Sequence, residues 1–273
     1  ADPVADGAAQ LSPGLLQKYH GRALVITTGA CAVHCRYCFR REFPYSQTPK
    51  SPAAWQPALD RLATDPTLDE VILSGGDPLT LIDDHLAELA ERIAAISHIR
   101  RLRIHTRLPI IIPQRVTEEL LGWLCGTRLT PIMVVHANHP QEIDDSTAAA
   151  LSRLVDAGVC VLNQAVLLKG VNDSAAALIE LSLQLVDLRV MPGPRDDWFA
   201  DPDAHGVVDA RSPDRLPEFL GFLDGAKPDL VEVLGEFLRE EFEHLLGLGR
   251  AAGEFDAGID VLGVFAEIGR AHV

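Results

Sequence analysis

Short apolar runs rich in β-branched residues recur along the first two thirds of the chain. They begin near Ala23, Glu70, Arg101, Pro131, Val159 and Val186. From the second run onward the interval is 27 to 31 residues, which is about the length of one strand–helix–strand unit. The spacing therefore predicts six parallel strands joined by crossover helices.

Helical stripes lie between these runs. One stripe contains Leu86, Leu89, Ile93 and Ile96, and another contains Leu151, Leu154 and Val155, with Gly158 as its C-terminal cap. Because strand and helix alternate six times, we expect an α/β fold, and a partial (β/α)6 TIM-like barrel in preference to a doubly wound sheet.

Polar and glycine-rich segments follow the first five strands. In a barrel of this kind the functional residues lie just beyond the carboxyl ends of the strands. The segments are Thr28–Ala30, Ser74–Pro78, His105–Arg107, His136–His139 and the pair Asn163 and Gln164. We therefore expect them to line one shared pocket.

Three cysteines follow the first strand with the spacing C-x3-C-x2-C. Cys31, Cys35 and Cys38 can hold three irons of a 4Fe-4S cluster and leave the fourth open to a small molecule. A closed zinc site usually needs four ligands, so zinc would require His34 or a distant residue. We favour the cluster, and we expect Cys125 and Cys160, in apolar surroundings, to be small buried hydrophobes.

Composition excludes several classes of function. The net charge of −15, with four lysines in the chain, argues against nucleic-acid binding. No apolar run is long enough to span a membrane, and the N-terminus lacks the pattern of a secretory signal. We therefore expect a cytoplasmic protein with no membrane partner.

Composition changes sharply near Pro192. Residues 193–273 hold 18 acidic and 7 basic residues and seven of the nine phenylalanines. We place a domain boundary there, with a barrel core at 1–192 and an acidic loop-plus-helix tail at 193–273. The closing EIGRAHV resembles a translated sequencing-adapter oligonucleotide, and we expect part of this tail not to be native sequence.

Five longer segments resemble the lysine 2,3-aminomutase family of radical S-adenosylmethionine (SAM) enzymes. They are KYHGRALVITTGACAVHCRYCFRREFPY, SGGDPL, RLRIHTRLPIIIPQR, HANHPQEI and LNQAVLLKGVND. The wording CRYCFRR-x-FPY resembles the branch that makes β-lysine for the modification of elongation factor P. The resemblance runs from about Pro13 to Pro192 and implies a barrel of the radical SAM type.

The resemblance implies three cofactors and one substrate. A 4Fe-4S cluster and SAM would generate a radical, and pyridoxal phosphate would carry the amino group of lysine from C2 to C3. It also implies a flavodoxin- or ferredoxin-type electron donor, and a homo-oligomer is compatible with it.

The same resemblance assigns roles to individual residues. Tyr37 would lie against the adenosyl group, and the segment from Ser74 to Asp77, with Gly75 and Gly76, would form the loop that meets the methionine end of SAM. His136 and Gln164 match SAM-contacting positions. Lys18 and Arg22, before the first strand, would bind the phosphate of pyridoxal phosphate, and Arg40 would bind the substrate carboxylate.

The tail departs from the family pattern. The family carries a glycine-flanked lysine that forms the Schiff base with pyridoxal phosphate, whereas the tail contains only Lys227, in the different context GAKPDL. Lys227 is therefore a weak candidate for that role. The alternative hypothesis is a cluster-binding but catalytically incomplete iron–sulfur protein or fragment.

Overall fold

The computed structural model describes most of the first 192 residues and two short strands beyond them. The described residues are 6, 9–38, 40–41, 43–45, 51–166, 168–192, 199–201 and 206–208. Lys227 and the rest of the acidic tail lie outside these residues, as do the predicted tail helix and EIGRAHV. The predicted boundary at residue 192 stays a prediction.

An eight-stranded sheet forms the centre of the fold. Its strands, in chain order, are β1 (Gln10–Ser12), β2 (Leu15–Tyr19), β3 (Arg22–Thr28), β4 (Glu70–Gly75), β5 (Arg101–His105), β6 (Thr130–Val135), β7 (Cys160–Asn163) and β8 (Met191–Pro192). Neighbours in space are neighbours in sequence throughout the sheet. Strands β3 to β8 pair in parallel, which confirms the predicted α/β class with six parallel strands. The sheet is not closed into a full barrel: β1 and β8 are its two edges.

The crossovers contain the predicted helices. These are α1 (Gln56–Ala63), α2 (Asp83–Ala94), the short α3 (Leu108–Ile111), α4 (Glu118–Cys125), α5 (Asp145–Asp156) and α6 (Ala175–Asp187). Single 3-10 turns occur at Pro52–Trp55, Pro78–Thr80, Pro113–Arg115 and Pro140–Glu142. The predicted cap after α5 is confirmed, since Gly158 adopts a φ of +87°.

Alternation along the strands separates the two faces of the sheet. Val25 on β3, Val71 on β4, Ile104 on β5 and Val161 on β7 belong to the buried core that the helices cover. Residues of the opposite phase line the inner face of the open barrel. The hydrophobic core therefore lies between the sheet and the helices, and the residues of the inner face point away from it.

An antiparallel hairpin precedes the first parallel strand and was not predicted. β1 pairs with β2, and β2 pairs with β3. Lys18 lies within β2 and so precedes the first predicted strand, whereas Arg22 is the first residue of that strand, one residue before its predicted start. The hairpin was missed because β1 and β2 are only three and five residues long and contain no sustained apolar run, although Gly14 and Gly21 in the turns both have a positive φ.

The sixth predicted strand begins too early. Val186 lies in α6, and only Met191 and Pro192 pair with β7. Buried apolar residues occur on both sides of the helix end, because Leu185 packs the last turn of the helix into the core and Val190 packs the residue before the strand. Arg189, with a φ of 59°, makes the reversal between them without the glycine that usually marks such a position.

The prediction that Cys125 and Cys160 are buried is wrong. Both thiols belong to exposed residues. Cys160 is in phase with Leu162 on the inner face of the sheet, whereas its neighbour Val161 faces the helices. Cys125 is the last residue of α4, beyond the helical stripe that enters the core.

Within the described residues, no helix is both long and apolar enough to cross a membrane.

Candidate active site

The cysteine loop begins at the carboxyl end of β3. Ala30 N–H donates to Thr28 Oγ1 at 3.1 Å, and Cys38 N–H donates to Cys35 O at 3.2 Å, so local hydrogen bonds fold the loop into tight turns. Cys31 and Cys35 are partly exposed and Cys38 is exposed. The loop thus presents its three thiols at the strand end where barrel enzymes carry their functional residues.

The three thiols are close enough to affect one another electrostatically. Burial, then the negative charges of Asp77, Cys38 and Cys35, raise the pKa of Cys31 to about 11. Three thiolates can persist together at such a place only if positive charge lies between them, as a bound metal centre provides. The donor set therefore fits an iron–sulfur cluster.

Among the described residues, no group of three or more His, Cys, Asp or Glu side chains is arranged to hold a metal ion. A cluster bound through three cysteines distributes them over three separate irons.

Gly75 and Gly76 allow the end of β4 to lie directly against the start of the cysteine loop. Gly76 N–H donates to Thr28 O at 2.7 Å, and Asp77 N–H donates to Ala30 O at 2.8 Å. A Cβ at Gly76 would lie 2.1 Å from Ala30 O, and one at Gly75, where φ is +125°, would lie 2.6 Å from Thr28 O. Both glycines are therefore required by the packing of two backbone segments, a role that the sequence did not reveal.

Asp77 joins this turn to the end of β5. Its carboxylate accepts hydrogen bonds from Thr106 Oγ1 and Arg107 N–H, both at 2.7 Å, and from Leu79 N–H at 3.0 Å. The side chain is buried, and burial raises the pKa of the carboxyl group against the effect of these donors. Both of its oxygens accept hydrogen bonds within the protein, which fixes the orientation of the carboxylate.

Tyr45 closes the cysteine segment back onto the same turn. Its hydroxyl donates to Gly75 O at 2.9 Å, and burial raises the pKa of this phenol to about 12. Its ring lies so close to Gly29 that a Cβ there would be 2.8 Å from Tyr45 Cβ. Tyr45, the last residue of the FPY segment, therefore has a structural role in holding the cysteine segment against the Gly75 turn.

Tyr37 is held by two residues that the sequence analysis did not assign. Its hydroxyl accepts from Asn138 Nδ2 at 2.6 Å and from Arg107 Nη1 at 2.9 Å. Burial raises the pKa of Tyr37 to about 12, although the nearby Arg107 opposes this change. The ring preceding the last cysteine is therefore fixed as a neutral phenol.

His136 and Gln164 are brought together as predicted residues of one pocket. His136 Nδ1 lies 3.1 Å from Gln164 O, and the ring of His136 lies 5.9 Å from that of His105. His105 ends β5, His136 follows β6 and Gln164 follows β7. Three neighbouring strand ends therefore contribute to the pocket.

Asp6 connects two of the predicted anion-binding residues. Its buried carboxylate lies 2.6 Å from Lys18 Nζ and 2.9 Å from Arg40 Nε. Arg40 also donates from Nη1 to Ser74 Oγ at 3.0 Å. A phosphate or carboxylate ligand would have to share these cations with Asp6.

Arg22 is not brought to the strand ends. It starts β3, pairs in register with Glu70 and lies over the ring of Tyr19 at 5.9 Å. At about 3.3 Å per residue, six residues of strand separate it from Thr28 by roughly 20 Å.

The comparisons with known proteins agree with this geometry. Residues 25–124 match the family model of the radical SAM superfamily. L-lysine 2,3-aminomutase of Haemophilus influenzae is 49% identical over 191 residues, which are 70% of this chain and 56% of that protein.

Two further relatives carry the same name. The Escherichia coli protein is 51% identical over 180 residues, covering 66% of this chain and 53% of its own length. The Clostridium subterminale protein is 37% identical over 193 residues, covering 70% of this chain and 46% of its own length. The matched part of the chain belongs to the lysine 2,3-aminomutase family of radical SAM proteins. The chain spans about half the length of these curated relatives.

Proposed function

We propose that the barrel core is the radical-generating part of a lysine 2,3-aminomutase, an isomerase that converts L-α-lysine to β-lysine. One observation carries the proposal. The cysteine loop, the Gly75–Gly76 turn and the end of β5 meet at the carboxyl ends of the parallel strands. Relatives 49% and 51% identical to the matched part of the chain are named L-lysine 2,3-aminomutase, which supports the proposal.

Three cofactors belong to the proposal. A 4Fe-4S cluster with SAM supplies one-electron bond cleavage, and pyridoxal phosphate supplies a π-system for the migrating nitrogen. Cys31, Cys35 and Cys38 would bind the cluster, leaving one iron open to SAM. SAM would be positioned at these strand ends by Tyr37, the backbone of Gly75 and Gly76, His136 and Gln164.

The substrate residues form a less complete set. Arg40 would orient the lysine carboxylate by a bidentate contact, which requires its bond to Asp6 to be exchanged or shared. Lys18 would provide positive charge for a phosphate, whereas Arg22, at the opposite end of β3 from the cysteine loop, lies too far from the strand ends to share this role. Placement of the reacting carbon next to the radical contributes much of the rate in such chemistry, so these contacts would decide turnover.

The biological setting is the finer part of the proposal. Identity is 51% with the Escherichia coli relative and 37% with the Clostridium subterminale relative. The chain is thus more similar to the Escherichia coli relative, and the CRYCFRR-x-FPY wording is what supports the branch that makes β-lysine for elongation factor P. We place the reaction in the cytoplasm, since three reduced thiols need a reducing compartment, with a flavodoxin- or ferredoxin-type donor.

Anaerobic incubation with dithionite, SAM, pyridoxal phosphate and lysine tests the proposal. We expect 5'-deoxyadenosine at a slow rate and no β-lysine from this chain, because no residue matching the Schiff-base lysine is found. The matched control is the Cys31→Ala variant, which should form neither product. Absence of 5'-deoxyadenosine from a fully loaded protein would overturn the radical SAM assignment.

Borohydride reduction separates the aminomutase from the catalytically incomplete alternative. A lysine covalently labelled by pyridoxal phosphate, together with β-lysine formation, would show that the tail completes the site. Lys227→Ala would then be the first variant to compare. A protein that cleaves SAM but gains no such label would be the radical-generating part without the covalent pyridoxal phosphate site, as expected of this chain, whereas a cluster-loaded protein that does not cleave SAM would match the alternative.

A further inference from the structure

Arg107 contacts the cysteine loop, and the proposed function leaves it without a role. It follows β5, and its backbone N–H is held by Asp77 at 2.7 Å. Its Nη1 lies 3.2 Å from Cys35 Sγ and 2.9 Å from the Tyr37 hydroxyl. One guanidinium arm thus contacts a thiol of the C-x3-C-x2-C loop and the ring beside the last cysteine.

The other arm of the guanidinium faces an anion. Arg107 Nη2 donates to Glu142 Oε2 at 2.7 Å, while Glu142 Oε1 accepts from Asn138 N–H at 2.9 Å. Glu142 therefore fixes the orientation of Arg107 and offsets part of its charge. The Nε–H of Arg107 is buried and has no hydrogen-bond partner within the described part of the chain, which leaves a donor for a bound group.

We propose that Arg107 is a positioning residue that sets the reduction potential of the cluster through Cys35 and keeps Tyr37 in place beside it. The proposal rests on the cluster of the proposed function and adds a device that controls it. Net charge and hydrogen bonds to ligating sulfurs are among the main determinants of such potentials.

The sign of the effect follows from charge. A cluster held by three thiolates becomes more negative when it accepts an electron. The permanent positive charge of Arg107 stabilises the reduced form more than the oxidised form and raises the potential. Glu142, in contact with the same guanidinium, has the opposite effect.

The test is a potentiometric titration of the anaerobically reconstituted full chain, followed by the electron paramagnetic resonance signal of the reduced cluster. Arg107→Gln should bind iron and sulfide at the wild-type ratio and show a lower midpoint potential. Glu142→Gln should shift the midpoint the other way. Arg107→Lys should keep most of the wild-type potential, because it keeps the charge.

Arg115→Gln is the matched control. Arg115 is about as buried as Arg107, with 15% and 19% of the side chain exposed. It binds Leu79 O and Asp83 and has no recorded contact with a cysteine. We expect this variant to lose thermal stability without any change in midpoint potential.

Several results would overturn the proposal. A loaded Arg107→Gln protein with the wild-type potential would reduce Arg107 to a structural role. If that variant cannot hold the cluster, Glu142→Gln decides, and an unchanged or lowered potential there contradicts the charge account. Failure of the unsubstituted protein to bind any cluster would instead overturn the proposed function, and is seen before any variant is compared.

Discussion

A close backbone contact between Gly76 and Ala30 holds the end of β4 against the cysteine loop. The sequence predicted that the glycines of SGGD lie at a functional strand end, because they follow an apolar run. It could not predict that the neighbouring atoms are Thr28 O and Ala30 O, since β3 and β4 are adjacent only after the sheet has formed. Arg107 and Asn138 were predicted only as residues of the shared pocket, and their contacts to Tyr37 could not be predicted because they span 70 and 101 residues.

Substitution of Gly76 should damage the cysteine loop itself. Gly76→Ala would place Cβ 2.1 Å from Ala30 O, a backbone atom that cannot yield without moving Cys31. We expect a loss of at least about 2 kcal/mol in the free energy of unfolding, comparable to other severe overpacking, and reduced iron content after reconstitution.

Gly122→Ala is the control for that substitution. A Cβ at Gly122, within α4, would have nothing within 4 Å. This change should raise the free energy of unfolding by about 0.5–1 kcal/mol through helix propensity. Equal effects of the two substitutions in urea denaturation would contradict the packing account.

The reactivity of Cys31 offers a test of site electrostatics in the cluster-free protein. Its pKa is raised to about 11, so the thiolate fraction should increase with pH up to that value, and alkylation by iodoacetamide should follow it. Asp77→Asn removes the largest charge that contributes to this rise. The variant should therefore be alkylated faster at pH 8, as measured by peptide mass spectrometry.

Asp84→Asn is the matched control, since Asp84 lies in the first turn of α2 and is not among the groups that shift Cys31. A rate for Asp77→Asn no higher than that of Asp84→Asn would contradict the contribution of the Asp77 charge to the raised pKa of Cys31.

At the level of elements, periodicity located the β4 to β7 strands and the crossover helices but not their exact ends. The segment after Gln184 shows why. Leu185 and Val190 are both buried, and the run between them contains no glycine or proline that would mark the end of α6. The N-terminal hairpin was missed for a related reason: β1 and β2 are short and have no periodic pattern of their own, and β1 pairs with β2 while β2 pairs with β3.

The N-terminus of α5 should depend on one side chain. Asp144 precedes the helix in extended conformation and accepts a hydrogen bond from Thr147 N–H at 2.8 Å. Asp144→Ala should lower the free energy of unfolding by about 1 kcal/mol, a typical value for a lost N-cap. Thermal denaturation followed by circular dichroism is the measurement.

Asp145→Ala serves as the control for this cap, because Asp145 is the first helical residue and has no recorded capping bond. Iron content should be unaffected in both variants, since α5 reaches the site only through its neighbours. A loss of stability in Asp145→Ala as large as that in Asp144→Ala would contradict the capping role.

At the scale of the whole molecule, the two faces of the sheet divide structure from function. Helices cover the face that carries Val25, Val71 and Val161, while the opposite face is partly exposed and includes Cys160. Charge divides along the chain as well, with most of the acidity in residues 193–273. The uneven charge follows from composition alone. The location of the site at the strand ends could be predicted because polar segments follow the apolar runs in the sequence.

Iron and sulfide analysis of the anaerobically reconstituted protein, with electron paramagnetic resonance before and after SAM is added, tests the central claim most directly. We expect one 4Fe-4S cluster per chain and a reduced-state signal that changes on addition of SAM. The triple variant of Cys31, Cys35 and Cys38 to Ala should bind none. Full iron and sulfide content in that variant, or a wild-type cluster signal that SAM leaves unchanged, would contradict the account.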